Sequence, residues 1–185
     1  MKALIIVDMQ NDFINGALGT PEAQAIVPNV IDKLKQHENT NTLILFTKDT
    51  HYDNYLETSE GKKLPVPHCI KGTEGWCIQK DIAAEFKVGH YISYSSESII
   101  NSRVLKETFG SYDLINLLCK IPEIDEIELC GVCTDICVIS NAIMIKNCFL
   151  NMKVTVDASC CAGVTPEKHA AALEVMRSCQ IEVIE

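Results

Sequence analysis

The chain has 185 residues, which suits one domain spanning 1–185, and 47% of it is apolar, enough to fill a sizeable core. The formal net charge is −9 and the Lys and Arg residues are scattered, so nucleic acid and anionic membrane, which need a concentrated positive patch, are poor partners. Every apolar run stops short of the roughly 18 residues a membrane helix needs, and the opening run is too short for an export signal, so the ten cysteines read as mostly inert free thiols of a reducing cytoplasm.

Residues 2–7 (Lys-Ala-Leu-Ile-Ile-Val) predict a first strand that ends at Asp8. A helix is predicted over 21–38, where Thr20 offers a cap and Pro21 takes the first helical position. A second strand follows at 42–47. Residues 48–80 mix Gly, Pro, His, Tyr and Trp without a period, and a long irregular stretch of that kind in a compact domain is usually functional. Helix 111–119 starts at Ser111, and a strand is predicted over 125–130. The helix predicted over 134–148 is apolar almost all round, so deep burial is expected for it. A strand at 152–156, a helix at 166–178 entered through Thr165 and Pro166, and a last strand at 181–184 complete the chain. Short strands with few polar breaks fit a parallel sheet covered on both faces, and their alternation with helices gives a doubly wound α/β architecture.

Four groups of residues could carry chemistry. Asp8 closes the first strand, where ligands of open parallel sheets bind, although an acid there can equally serve a turn. Cys137 lies in Gly131-Val132-Cys133-Thr134-Asp135-Ile136-Cys137-Val138, between a strand and a helix. A thiol at a helix N-terminus gains thiolate character, the alternative being one more core cysteine. Asp49, His51 and His68, with Glu60 between them, offer carboxylates and imidazoles that suit a catalytic divalent metal such as zinc, iron or manganese; ordinary loop residues are the competing reading. Lys106 by itself reads as a surface lysine.

Taken in order, Asp8-Met9-Gln10-Asn11-Asp12-Phe13, Asp49-Thr50-His51, His68-Cys69, Lys106 with Phe109-Gly110-Ser111-Tyr112, the Gly131–Val138 turn and Val156-Asp157-Ala158 resemble the isochorismatase-like cysteine hydrolases, and among them the nicotinamidase branch. The resemblance implies a six-stranded, mostly parallel sheet with helices on both faces. It implies a triad in which Cys137 is the nucleophile, Asp8 the general base and acid, and Lys106 the partner of the thiolate. It further implies a cis peptide between Val132 and Cys133, an oxyanion hole from the backbone N–H groups of Cys133 and Cys137, and a metal on Asp49, His51, Glu60 and His68, zinc first. Phe13, Val132 and Trp76 would line the substrate pocket. The stretch Lys63-Leu64-Pro65-Val66-Pro67 departs from the branch, which often has an aromatic residue before its Pro-x-His.

The activity so implied is hydrolysis of a small amide, nicotinamide first, through a thioester, in a homodimer or homotetramer. The alternatives are a metal-independent hydrolase of an N-carbamoyl or ureido compound and an inactive binding member of the fold.

Overall fold

The computed structural model describes residues 1–38, 40–85, 99–100 and 103–185. The strands are β1 (Lys2–Val7), β2 (Thr42–Asp49), β3 (Ile99–Ile100), β4 (Arg103–Lys106), β5 (Glu126–Val132), β6 (Lys153–Ala162) and β7 (Glu182–Ile184). They form one sheet in the order β3-β4-β2-β1-β5-β6-β7. Six strands run parallel, and β3 pairs antiparallel with β4 at one edge. The helices are α1 (Asn11–Ile14), α2 (Pro21–Ala25), α3 (Val27–Gln36), α4 (Lys80–Glu85), α5 (Tyr112–Leu118), α6 (Ile139–Cys148) and α7 (Pro166–Ser178).

The order of the strands explains the layers. From β1 the chain moves through β2 to β4 on one side, then crosses back to β5 and continues outward to β6 and β7 on the other. Right-handed crossovers place helices of opposite travel on opposite faces. In agreement, α1 to α4 pack among themselves, as do α5 to α7. Strand β1 is the central one, and Ala3 through Val7 are wholly buried because both faces are covered. The carboxyl end of β1, where the direction of travel reverses, is the crevice in which such sheets bind ligands.

Several expectations are corrected. The helix expected over 21–38 breaks at Ile26, because Pro28 has no N–H to donate to Gln24; the Ile26 N–H bonds the Gln24 and Glu22 carbonyls instead. Strand β4, with charged residues at both ends, has no counterpart among the strands read from the sequence. The expected helix 134–148 opens as a π turn, Thr134–Val138, before α6 begins. Only Asn141, Ala142 and Ile145 of α6 are buried, so the helix covers the sheet with one stripe and leaves Ile139, Ile143 and Met144 half-buried. Cys148, at its end, is exposed. The caps behave as read: Thr20, Ser111 and Thr165 each accept from the N–H three residues on.

Away from the β1 carboxyl end, a buried ion cluster joins the two halves. Lys33 of α3 lies 2.7 Å from Glu128 of β5 and 2.6 Å from Asp157 of β6, and Lys2 also pairs with Glu128. Burial pushes both carboxyl groups up, but the lysine hydrogen bonds outweigh it and hold both below their ordinary range. Depressed carboxylates stabilise the fold above the unfolded values near ~4, and that contribution is lost as pH falls through the folded ones. We expect Lys33→Met to cost about 3 kcal/mol of unfolding free energy at pH 7, because two buried charges lose a shared partner. The deficit should shrink below about pH 4, where wild type also loses the contribution; urea melts at pH 7 and at about pH 3 check this, and an equal deficit at both would refute it.

Candidate active site

Asp8 follows β1, Asp49 ends β2, Lys106 ends β4 and Val132 ends β5, so four parallel strands bring their carboxyl ends to one place. Gly131, at φ +121°, permits the closest approach: a Cβ there would strike the Val7 carbonyl. Val132 is buried, and its bond to Cys133 is cis. The π turn then carries Cys137 inward. Asp8 has φ +50°, a left-handed conformation that costs a non-glycine residue free energy and that a tight active-site setting imposes.

Lys106 is the hub. The sequence alone read it as a surface residue, yet its side chain is 1% exposed. Its Nζ lies 2.6 Å from Asp8 Oδ2 and 3.2 Å from Asp49 Oδ1, and donates to Cys137 Sγ at 3.5 Å. Thr47 fixes the other Asp8 oxygen, its hydroxyl donating to Oδ1 at 2.7 Å. Asp49 is gripped through its backbone by the buried Gln10 carboxamide, which accepts from Asp49 N–H at 2.7 Å and donates to Asp49 C=O at 2.9 Å.

These neighbours separate the two carboxyl groups. Burial works against ionisation of Asp49, but Lys106 and the two imidazoles prevail and hold it well below the usual range. Asp8, wholly buried and repelled by Asp49, is raised despite Lys106. The Cys137 thiol is also raised: burial is the leading cause, and Lys106 only partly offsets it against Asp8 and Asp49. Burial thus opposes the thiolate that Lys106 favours, and the sulfur lies in a setting shared with a comparatively basic carboxylate. Such a pair can pass a proton from sulfur to Asp8 as the sulfur attacks, with Lys106 held against the charge that develops.

Asp49, His51 and His68 form the second part of the site. Their donor atoms all lie within 4.8 Å of one another, and all three residues are buried. His68 Nδ1 is 2.8 Å from the Val66 carbonyl, a contact that turns Nε2 toward Asp49 Oδ2, 3.5 Å away. His51 Nε2, also buried, lies 2.9 Å from Asp49 Oδ2. One carboxylate and two imidazoles converging in this way fit a small divalent cation. Glu60 Oε1 stands 3.8 Å from both His51 Nε2 and His68 Nε2, outside the tight trio but within reach of it.

Sequence reasoning missed Tyr55, which is buried with its ring centroid 4.7 Å from that of His51 and 5.1 Å from that of His68, and whose hydroxyl donates to Leu64 O. The mixed composition of 48–80 was the only signal that pointed there. Phe13 meets the His68 ring edge-on at 5.5 Å. Trp76 is committed on two sides: its indole N–H donates to Thr50 Oγ1 at 2.9 Å, and the Lys48 ammonium sits 2.9 Å from its ring centroid.

Comparison with known proteins finds the isochorismatase domain family model over residues 2–185. The nicotinamidase/pyrazinamidase of Mycobacterium tuberculosis is 31% identical, with 100% of this chain and 98% of that protein covered. The crystal structure of a pyrazinamidase/nicotinamidase from Streptococcus mutans superposes with a TM-score of 0.83 at 26% identity, covering 100% of both chains. That of the Pyrococcus horikoshii pyrazinamidase in complex with zinc gives 0.74 at 26% identity over 100% of this chain and 98% of that one.

Proposed function

The chain belongs to the isochorismatase family, and from that premise we propose that it is a metal-assisted cysteine amidase that converts nicotinamide to nicotinate and ammonia. The observation that carries the reading is Lys106, one buried ammonium in contact with Asp8, Asp49 and the Cys137 sulfur at once.

In this reading Cys137 Sγ attacks the amide carbonyl while its proton passes to Asp8. The backbone N–H groups of Cys133 and Cys137 hold the oxyanion. Asp8 returns the proton to the departing nitrogen, the C–N bond breaks, ammonia leaves, and the acyl group remains on Cys137 Sγ as a thioester. Water then attacks that thioester with Asp8 again as base, and Cys137 is restored. Asp49, His51 and His68, with Glu60 as a further ligand, would hold the metal, zinc by preference. Once bound, it supplies Lewis acidity for orienting substrate or activating water. Phe13 and Val132 would wall the substrate, and Trp76 would close the side by Thr50.

We take residues 1–185 as one domain working in a reducing cytoplasm, a placement supported by ten free cysteines. We take the protein to be a homo-oligomer, as its resemblance to the family implies. Among the described residues no helix is long and apolar enough to cross a membrane.

The test is release of ammonia from nicotinamide by metal-supplied protein, run beside pyrazinamide and an N-carbamoyl amino acid. We expect nicotinamide to be hydrolysed and a chelator to suppress the reaction. Turnover of the carbamoyl compound alone, at full rate after chelation, would replace the amidase reading with the ureido one.

A further inference from the structure

We propose that Asn141, which contacts neither the metal ligands nor the sulfur, is a positioning residue that holds the Cys137 turn in register with the segment following Lys106. The proposal goes beyond the amidase reading but rests on it for its kinetic arm. Asn141 lies in the first turn of α6, is 1% exposed, and uses its whole carboxamide on backbone. Its Nδ2 donates to the Cys137 carbonyl at 2.8 Å and to the Phe109 carbonyl at 3.2 Å, and its Oδ1 accepts from the Ser111 N–H at 3.0 Å. Both kinds of hydrogen-bonding capacity are thus used, and by two different segments.

Those segments carry the reacting sulfur and its cation. Phe109 and Ser111 lie three and five residues beyond Lys106, and Ser111 caps α5 by accepting from Leu114. Cys137 and Lys106 meet through a 3.5 Å contact between side-chain tips, which does not by itself set the spacing of two backbones. Asn141 supplies a rigid planar strut between those backbones. Other side chains fail for stated reasons. Aspartate has the shape but no donors for the two carbonyls, leucine has the size but no polar atoms, and glutamine is one methylene too long for a buried site. Misplacing a nucleophile by about 1 Å can cost 10²-fold in rate, so loss of the strut should show in the chemical step.

The experiment compares metal-supplied full-length wild type with Asn141→Leu and Asn141→Asp. Three quantities are read: kcat and KM for amide hydrolysis, the rate of Cys137 alkylation by iodoacetamide followed on the Cys137 peptide by mass spectrometry, and the melting temperature. We expect kcat to fall by roughly 30- to 100-fold with KM within about twofold, and alkylation of Cys137 to slow in parallel. Asn141→Ser, which keeps a donor for the Cys137 carbonyl in a smaller volume, should fold if the other two do not and lose about tenfold in kcat. A lowered melting temperature with kcat and alkylation unchanged would make Asn141 purely structural and overturn the proposal. Should wild type hydrolyse no amide, the amidase reading fails, while the alkylation rates still decide for or against Asn141.

Discussion

Cys137→Ala should lower amide turnover by at least about 10⁴-fold, the scale seen when a catalytic nucleophile is removed. Unfolding should shift by no more than about 1 kcal/mol, since one buried sulfur is deleted and no charge loses its partner. The Lys106 ammonium still has Asp8 and Asp49, at 2.6 and 3.2 Å. Cys133→Ala is the matched control. Its thiol is pushed up to about 12, chiefly by burial and then by Asp135, and only its backbone N–H enters the proposed chemistry. Turnover there should stay within about tenfold of wild type. Steady-state ammonia release with urea melts on both variants makes the comparison. An inactive Cys133 variant beside an active Cys137 variant would reverse the nucleophile assignment.

The residues that sequence could place are those whose chemistry shows in their neighbours. Asp8 stood out because an uninterrupted apolar run ends on it, and the carboxyl end of a central parallel strand is where ligands bind. His51 and His68 stood out as metal-ligand types beside Asp49. Lys106 offers no such local signal: β4 is four residues long with alternate residues buried, and what makes the lysine central is two carboxylates that lie far away in the chain. Only the order of motifs over the whole sequence singled it out. Gln10, Thr47, Tyr55 and Asn141 were passed over for a related reason. Each acts by hydrogen bonding or packing across strands, and a polar residue inside an apolar segment does not announce which backbone it will meet. The break at Ile26 is different, since Pro28 was in plain view and its missing N–H forbids a continuous helix. Helix position and a nearby cation favour the Cys137 thiolate and are legible in the sequence; burial, which opposes it and is the largest influence in this site, is not.

Lys106→Met should be the most damaging single change to stability as well as to activity. The lysine is in contact with both Asp8 and Asp49, and all three side chains are nearly or wholly buried. Removing it leaves two carboxyl groups facing each other with their desolvation uncompensated, a loss of about 3–5 kcal/mol for a broken buried pair. Added divalent metal should recover part of this by neutralising Asp49 through His51 and His68, but it has no route to Asp8. A second substitution separates the two effects. Asp8→Asn on top of Lys106→Met removes the stranded charge, so the double variant should be more stable than Lys106→Met alone while remaining inactive, having lost both the base and the ammonium. Melting curves with and without metal and ammonia assays on the two single variants and the double complete a mutant cycle. Strict additivity of the two stability changes would mean that Asp8 and Lys106 are not coupled, and the hub assigned to Lys106 would have to be abandoned.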